Sequence, residues 1–171
     1  MDEPTIEAAR RGDRTAQTAL IRALQDVWYR FALGLLRDPD MAADAAQETA
    51  LRFLRDLPKF RGGSTIKTWS LGIALNVTRE QRRRKTWASE SAAMESADES
   101  PSPVAEADRA EQVSRVRALL ADLPERQREA LLLRFFEDLS VDETAKAMNA
   151  APGTIKATVH QALRSLRNKL M

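Results

Sequence analysis

The sequence predicts an all-α protein of two small helical domains joined by a flexible acidic linker, the second domain containing a helix-turn-helix. Three observations predict it. Apolar residues recur at three- and four-residue steps through most of the chain. That periodicity collapses once, in a Ser-, Ala- and acid-rich stretch that begins near residue 86. Near the end, a short helical pattern, a Pro-Gly turn and a longer basic pattern follow one another. The 171 residues accommodate one ordinary domain or two small ones, and two would each be marginal alone. The expected boundaries are 1–85, a linker at 86–110, and 111–171.

The N-terminal "MDEPTIEAARRGDR" is acidic and polar, unlike a secretory signal. In "TALIRALQDVWYRFALGLLRD", Leu20, Leu24, Val27, Phe31 and Leu35 mark one face of a long helix. Asp38 followed by Pro39 reads as an N-cap with a first-turn proline. The helix they open, through "DMAADAAQETALRFLRDL", is expected to stop before Pro58. Ser64 or Thr65 can cap a third helix through "IKTWSLGIALNVTREQRRRK", with Ile66, Trp69, Ile73 and Val77 on one face and Leu71 and Leu75 near it. Beyond the linker, "RAEQVSRVRALLADL" and "ERQREALLLRFFEDL" are helical in pattern. Ser140 and Glu143 have capping-box spacing, and Val141, Ala145 and Met148 make a short stripe. After the turn at Asn149 to Gly153, the last helix should bury Ile155, Val159, Ala162, Leu163, Leu166 and Leu170.

Composition excludes several chemistries. The chain has no cysteine, so disulfides and thiolate metal sites are ruled out. His160 is the single histidine, which removes multi-His metal sites. No apolar run approaches the roughly 20 residues of a membrane span. The net charge of +2 hides segregation. Residues 1–85 carry 16 Lys/Arg and 11 Asp/Glu, residues 86–112 carry 1 and 7, and residues 113–171 carry 10 and 7. Residues 144–171 hold five basic side chains and no acid. A polyanion partner for each end, or two solvated helix faces, would explain this pattern.

A helix-turn-helix lays its second helix in the major groove. The outward positions there would be Thr154, Lys156, Ala157, Thr158, His160, Gln161, Arg164 and Arg167. The Gln161 amide can pair bidentately with adenine, and Lys156 or Arg164 can meet guanine or phosphate. An ordinary helical hairpin is the plainer alternative. The loop "FRGGSTIKTW" at 60–69 fails the phosphate-loop spacing and follows a helix, where that motif needs a strand. What remains is an aromatic (Phe60), permissive backbone (Gly62, Gly63), hydroxyls (Ser64, Thr65) and cations (Arg61, Lys67), with Asn76, Arg79 and the run Arg82, Arg83, Arg84 and Lys85 downstream. Such a set suits an unstacked base, and it also suits a simple connector beside a basic helix.

Two stretches carry a wider resemblance. They are "DAAQETALRFLRDLPKFRGGSTIKTWSLGIALNVTREQRRRK" and "LADLPERQREALLLRFFEDLSVDETAKAMNAAPGTIKATVHQALRSLRNKL". In this order, with an acidic linker between them, they resemble regions two and four of the extracytoplasmic-function group of bacterial RNA polymerase sigma factors. The resemblance implies that Asp44, Gln47, Glu48 and Phe53 dock on the clamp helices of core RNA polymerase. It implies that Phe60, Arg61, Gly62, Gly63, Ser64 and Thr65 form the loop that takes a base flipped from the melted −10 element, with Lys67 beside it and Asn76 at the same pocket. Arg79, Arg82 and Arg83 would track the promoter strands. Trp69 matches an aromatic whose spacing with Ile73 favours core packing. The −35 reader would be the last helix, through Thr154, Lys156, Ala157, Thr158, His160, Gln161 and Arg164, with Arg134 supporting the DNA backbone.

By the same resemblance the chain would be cytoplasmic, would need no cofactor and would have no catalytic chemistry of its own. Its partners would be core RNA polymerase and promoter DNA, as duplex and as melted strand. Many relatives are held by an anti-sigma factor, which nothing in the sequence identifies. The last helix closes the sequence, so no regulatory extension is expected after it. Two departures stand out. Ala45 and Ala46 replace a leucine-valine pair, which trims apolar docking area. Ala157, Thr158 and Gln161 replace more cationic residues, which predicts weaker, less salt-sensitive duplex binding. Two competitors remain at this point. One is a free-standing helix-turn-helix regulator with a helical dimerisation or sensor half. The other is a helical nucleotide hydrolase, for which Asp40, Asp44 and Glu48 are the nearest acidic cluster.

Overall fold

The computed structural model describes residues 1–91 and 118–170, and every regular element among them is helical. Helix α1 spans Glu3–Arg10 and α2 spans Arg14–Leu36. Helix α3 spans Pro39–Asp56, and a 3-10 turn, Leu57–Lys59, follows it. Helix α4 is Ile66–Ser91. The second half holds α5 (Glu125–Leu131), a π-helical turn (Leu132–Phe136), α6 (Val141–Met148) and α7 (Pro152–Leu170).

Local chemistry fixes the ends. Asp13 starts α2 by accepting the Ala16 amide at 2.7 Å. Asp38 Oδ1 accepts the amides of Asp40 and Met41, both at 3.0 Å, with Pro39 in the first turn as expected. Thr65, rather than Ser64, caps α4 by accepting the Thr68 amide at 3.1 Å. The capping box of α6 is complete. The Glu143 amide donates to Ser140 Oγ at 3.1 Å, and the Ser140 amide donates to Glu143 at 2.8 Å. These reciprocal bonds, first to the Ser140 amide, hold the Glu143 carboxyl below its usual range. Asn149 ends α6 in the left-handed conformation, φ 49°, which directs the chain into the tight turn before α7.

The first half packs α2, α3 and α4 around an aromatic chain. Trp28 lies 5.3 Å from Phe53, Phe53 lies 5.5 Å from Trp69, and Trp69 lies 5.2 Å from Phe60. The Trp28 indole donates to Ser70 Oγ at 3.0 Å in the interior, which satisfies the ring's one polar atom. Arg52 binds α3 to α4. It donates to Glu48 at 2.6 Å and to both oxygens of Glu80 at 2.8 and 2.7 Å. The Glu80 carboxyl is consequently depressed, and the Arg52 guanidinium is raised by Glu80 and then Glu48.

The halves share one apolar core that includes Trp28, Leu71, Leu75, Leu132, Leu133, Met148 and Ile155. Two glycines set the contact. A Cβ at Gly34 would lie 3.1 Å from the end of Leu132, so its absence leaves space for that side chain on α2. A Cβ at Gly72 would lie 3.4 Å from the Ala147 carbonyl oxygen and 3.6 Å from its Cα, so α4 and α6 meet almost backbone to backbone.

Several sequence expectations change. Helix α1 adds to the expected elements, and only Ile6 and Ala9 on it are buried. On α2 Trp28 is fully buried along with Leu20, Leu24, Phe31 and Leu35 of the expected stripe, while Val27 is only half-buried. Helix α3 does stop before Pro58, as expected, and Pro58 lies within the 3-10 turn that follows. Helix α4 buries Leu71, Ala74, Leu75, Thr68, Ser70 and Thr78 as well as Ile66 and Val77, because it is covered by α2 and α3 on one side and α6 on the other. It also continues to Ser91, into the stretch expected as linker. "ERQREALLLRFFEDL" divides at Leu132, where a widened turn lets Leu131, Leu132 and Leu133 all face inward and leaves Phe135 and Phe136 exposed. Leu163, expected inside, is 47% exposed, because α7 has no helix against that side among the described residues. Most of "RAEQVSRVRALLADL" and the side chain of Leu170 lie outside the described residues.

Candidate nucleic-acid interface

Two surfaces gather the residues singled out above. On α7, Thr154, Lys156, Ala157, His160, Gln161 and Arg164 are exposed, and Thr158 is half-buried. Ile155 and Ala162 point into the core and hold the helix on α5 and α6. The outward row therefore follows from the inward one, and no acid interrupts it. Arg134 sits elsewhere. It is half-buried, donates to the Leu139 carbonyl and stacks 5.7 Å over Phe135, so it braces the turn that leads into α6.

The second surface is the 60–65 loop with α4. Gly62 has φ +74°, a conformation that favours glycine, and this bends the loop. Arg61, Gly62, Gly63 and Thr65 are exposed, as are Asn76 and Arg83. Phe60 is not open to a base here. It is 6% exposed and lies against Trp69. Ser64 is half-buried and donates to the Thr65 carbonyl at 3.3 Å.

Three cations of this surface, Lys67, Arg79 and Arg82, are engaged by the second half. Arg79 donates twice to Glu129, at 3.0 and 2.6 Å, and Arg82 donates to the same carboxylate at 2.7 Å. Arg82 also meets Glu125. Glu129 itself is fully buried. The shared carboxylate raises the Arg79 guanidinium above its usual value. Lys67 donates to the Glu137 carbonyl at 2.8 Å and lies 3.3 Å from its carboxylate. Desolvation pushes the Glu137 carboxyl up, against the opposing pull of Lys67. Lys146 donates to the Gly63 carbonyl at 2.6 Å, and the Thr68 hydroxyl donates to Glu143 at 3.2 Å. Sequence reasoning missed Glu129, Glu137 and Lys146, and it placed Glu143 in the capping box without its tie to Thr68. Their partners lie 47 to 83 residues away, and no local pattern links them.

The polymerase-facing set on α3 divides. Asp44 and Gln47 are exposed, Glu48 is half-buried on Arg52, and Phe53 is buried in the aromatic chain. Ala45 is also buried, packed with Ala32, Ala42 and Val77. Its small size thus brings α3 close to α2 and α4, and it removes no outer contact area. Among the described residues, no group of three or more His, Cys, Asp or Glu is arranged to hold a metal, Asp40, Asp44 and Glu48 included. No helix among them is long and apolar enough to cross a membrane.

Comparison with known proteins matches both halves. The family model for sigma-70 region 2 matches residues 20–88, and that for sigma-70 region 4 matches residues 114–166. The ECF RNA polymerase sigma factor SigC of Mycobacterium tuberculosis is 34% identical, over 93% of this chain and 85% of its own. SigX of Bacillus subtilis is 31% identical over 83% of this chain and 77% of its own. RNA polymerase sigma-H factor of Pseudomonas aeruginosa is 29% identical over 99% and 93%. Among solved structures, the sigma factor RpoE of Bartonella quintana, in complex with the anti-sigma factor NepR, aligns with a TM-score of 0.73 at 26% identity, over 90% of this chain and 95% of that one. CnrH, in complex with the cytosolic domain of CnrY, shares the fold with a TM-score of 0.76 at 20% identity, over 99% and 96%. A free-standing regulator is not favoured, since it leaves the region 2 match unexplained. The region 2 and region 4 matches fall in chain order on the two surfaces described above, and the likeness to SigC spans nearly the whole sequence. The protein belongs to the ECF group of RNA polymerase sigma factors.

Proposed function

We propose that the chain recognises −35 and −10 promoter elements and opens the DNA as a dissociable subunit of RNA polymerase. The observation that carries the −35 part is the exposed, acid-free row on α7. Lys156 and Arg164 would meet phosphate or guanine, and Gln161 an adenine edge. On the −10 side, the bent Gly62-Gly63 loop and exposed Asn76 would hold a flipped base, while Arg79, Arg82 and Arg83 follow the strand. The functional units would be 1–85 and 111–171, joined at 86–110, a division supported by two separate family matches, at residues 20–88 and 114–166.

Docking on core enzyme would use the exposed Asp44 and Gln47, with Glu48 oriented by Arg52 and Phe53 supporting the helix from inside. The chain adds no catalytic chemistry of its own, and binding energy drives strand separation. The likeness to RpoE in its NepR complex supports an anti-sigma partner for this protein too.

Asn76 offers the clean test, because it is exposed and its loss leaves the core intact. With core polymerase present, Asn76→Ala should reduce open-complex formation while leaving binding to the upstream duplex unchanged. Equal loss of both would overturn the base-pocket assignment.

A further inference from the structure

The C-terminal end of α4 and the start of α5 border a cleft that is open to solvent. Its volume is about 690 Å³, ample for a small-molecule ligand. Arg82, Arg83, Lys85 and Trp87 line it from α4, and Glu125 and Arg128 line it from α5. Four cations thus surround one acid.

The cleft is short of negative charge. Its acid, Glu125, is already met by Arg82. Arg82 nevertheless keeps Nε and Nη1 buried without a hydrogen-bond partner, so its guanidinium can take further acceptors. Arg128 donates to the backbone carbonyls of Leu120, Ala121 and Leu123, at 2.9, 2.6 and 3.1 Å, none of which carries a charge. Burial first, and then the charges of Arg82 and Arg37, push its guanidinium below the usual value. Arg83 is exposed, and so is Lys85, which lies 3.8 Å from Asp38. Phosphate oxygens are the acceptors that such a group of guanidinium and ammonium donors fits.

Trp87 adds a second chemistry. Trp28 is buried and Trp69 half-buried in the aromatic chain, but Trp87 is 78% exposed on the cleft wall. An indole beside cations offers its face to a planar base whose phosphates the cations hold. A nucleic-acid strand brings one charge per nucleotide. Four cations around a single cleft match instead one molecule that carries several phosphates.

We propose that this cleft binds a free nucleoside polyphosphate, with its base on Trp87 and its phosphates on Arg82, Arg83, Lys85 and Arg128. Occupancy takes Arg82 and Arg83 away from DNA, so the nucleotide competes with a promoter strand. That consequence, unlike the site itself, rests on the reading of the two arginines as strand contacts.

The test titrates the full chain by calorimetry, in magnesium-free buffer, with GTP, ATP, inorganic triphosphate and guanosine. GTP or ATP should bind at one site, at least about fivefold more tightly than triphosphate or guanosine. Trp87→Ala should weaken the nucleotide by about 5- to 150-fold and leave triphosphate unchanged. Lys85→Gln should weaken nucleotide and triphosphate alike, by about 2- to 5-fold. Both residues are exposed, so both variants should keep the fold. No one-site binding of either nucleotide up to millimolar concentration would overturn the proposal. So would triphosphate that binds as well as the nucleotide, or nucleotide binding that Trp87→Ala leaves unchanged. A fluorescein-labelled single-stranded DNA pool of mixed sequence, read by anisotropy at constant ionic strength, supplies the second arm. GTP or ATP should weaken binding of the pool. Loss of pool binding in Trp87→Ala, with no nucleotide binding to the original, would assign the cleft to DNA and overturn the proposal. Nucleotide that binds and leaves pool binding unchanged would refute the competition. The strand reading fails separately, if polymerase carrying the Arg82→Ala, Arg83→Ala subunit opens promoters at the normal rate.

Discussion

Gly72 gives a sharp prediction about how the halves meet. Replacing it with alanine places a Cβ 3.4 Å from the Ala147 carbonyl oxygen and 3.6 Å from Cα, which is ordinary contact. An alanine inside a helix also gains about 0.5–1 kcal/mol over glycine. Gly72→Ala should therefore be neutral or stabilising by about that amount. Leucine differs. Each further carbon extends about 1.5 Å beyond the last, toward backbone that cannot rotate aside. A displacement of that size would stretch the Lys146 to Gly63 bond, now 2.6 Å, and the Thr68 to Glu143 bond, now 3.2 Å, beyond hydrogen-bonding reach. Each involves one charged group, and partial exposure keeps each near the low end of about 1–3 kcal/mol. Set against the gain in helix propensity, the net cost to closure is about 1–2 kcal/mol, which multiplies the open population by about 5 to 30. Small-angle X-ray scattering should show a larger radius of gyration for Gly72→Leu than for Gly72→Ala. Urea titration should rank the leucine variant less stable. A leucine variant as compact and stable as the alanine variant would refute the close approach of α4 and α6.

Trp28→Phe should destabilise the protein by about 2–3 kcal/mol, from lost ring volume and one buried hydrogen bond. Ser70 limits the cost because its hydroxyl still donates to the Lys67 carbonyl at 2.9 Å. A urea midpoint shift worth less than about 1 kcal/mol at constant slope would contradict this packing. Ser140→Ala should cost about 1 kcal/mol and speed hydrogen exchange at the Glu143 amide, and an unchanged exchange rate there would count against the capping box. Glu80 supplies a pH test. Arg52 holds its carboxyl below the ordinary 4.5, so its stabilisation is complete above that value and is lost as pH falls through the depressed one. The difference in melting temperature between the original and Glu80→Gln should therefore be present at neutral pH and vanish in acid. A constant difference would refute the pairing.

Local features are legible in the sequence. Asp38 with Pro39, Ser140 with Glu143, and the turn at Asn149 each carry their own start or stop chemistry, and all lie where the residues indicate. The outward row of α7 is legible too, because Ile155 and Ala162 define its inward side. Where helices are buried on more than one side, single-stripe reading falls short. Helix α4 is the main case, since Leu71 and Leu75 are as deeply buried as any residue on the expected face. A single stripe through Val27 misses the deeper Trp28 for the same reason. Helix α1 offers too few apolar positions to announce itself. Glu129 shows the remaining limit. Its neighbours in sequence, Arg128 and Ala130, say nothing of Arg79 and Arg82, because that contact exists only once the halves pack.

Reconstitution with core RNA polymerase and a promoter library tests the central claim most directly. The full chain should co-purify with core enzyme and direct transcripts from a set of promoters sharing one −35 and one −10 sequence. Failure to bind core enzyme, or transcription with no shared promoter sequence, would contradict the assignment.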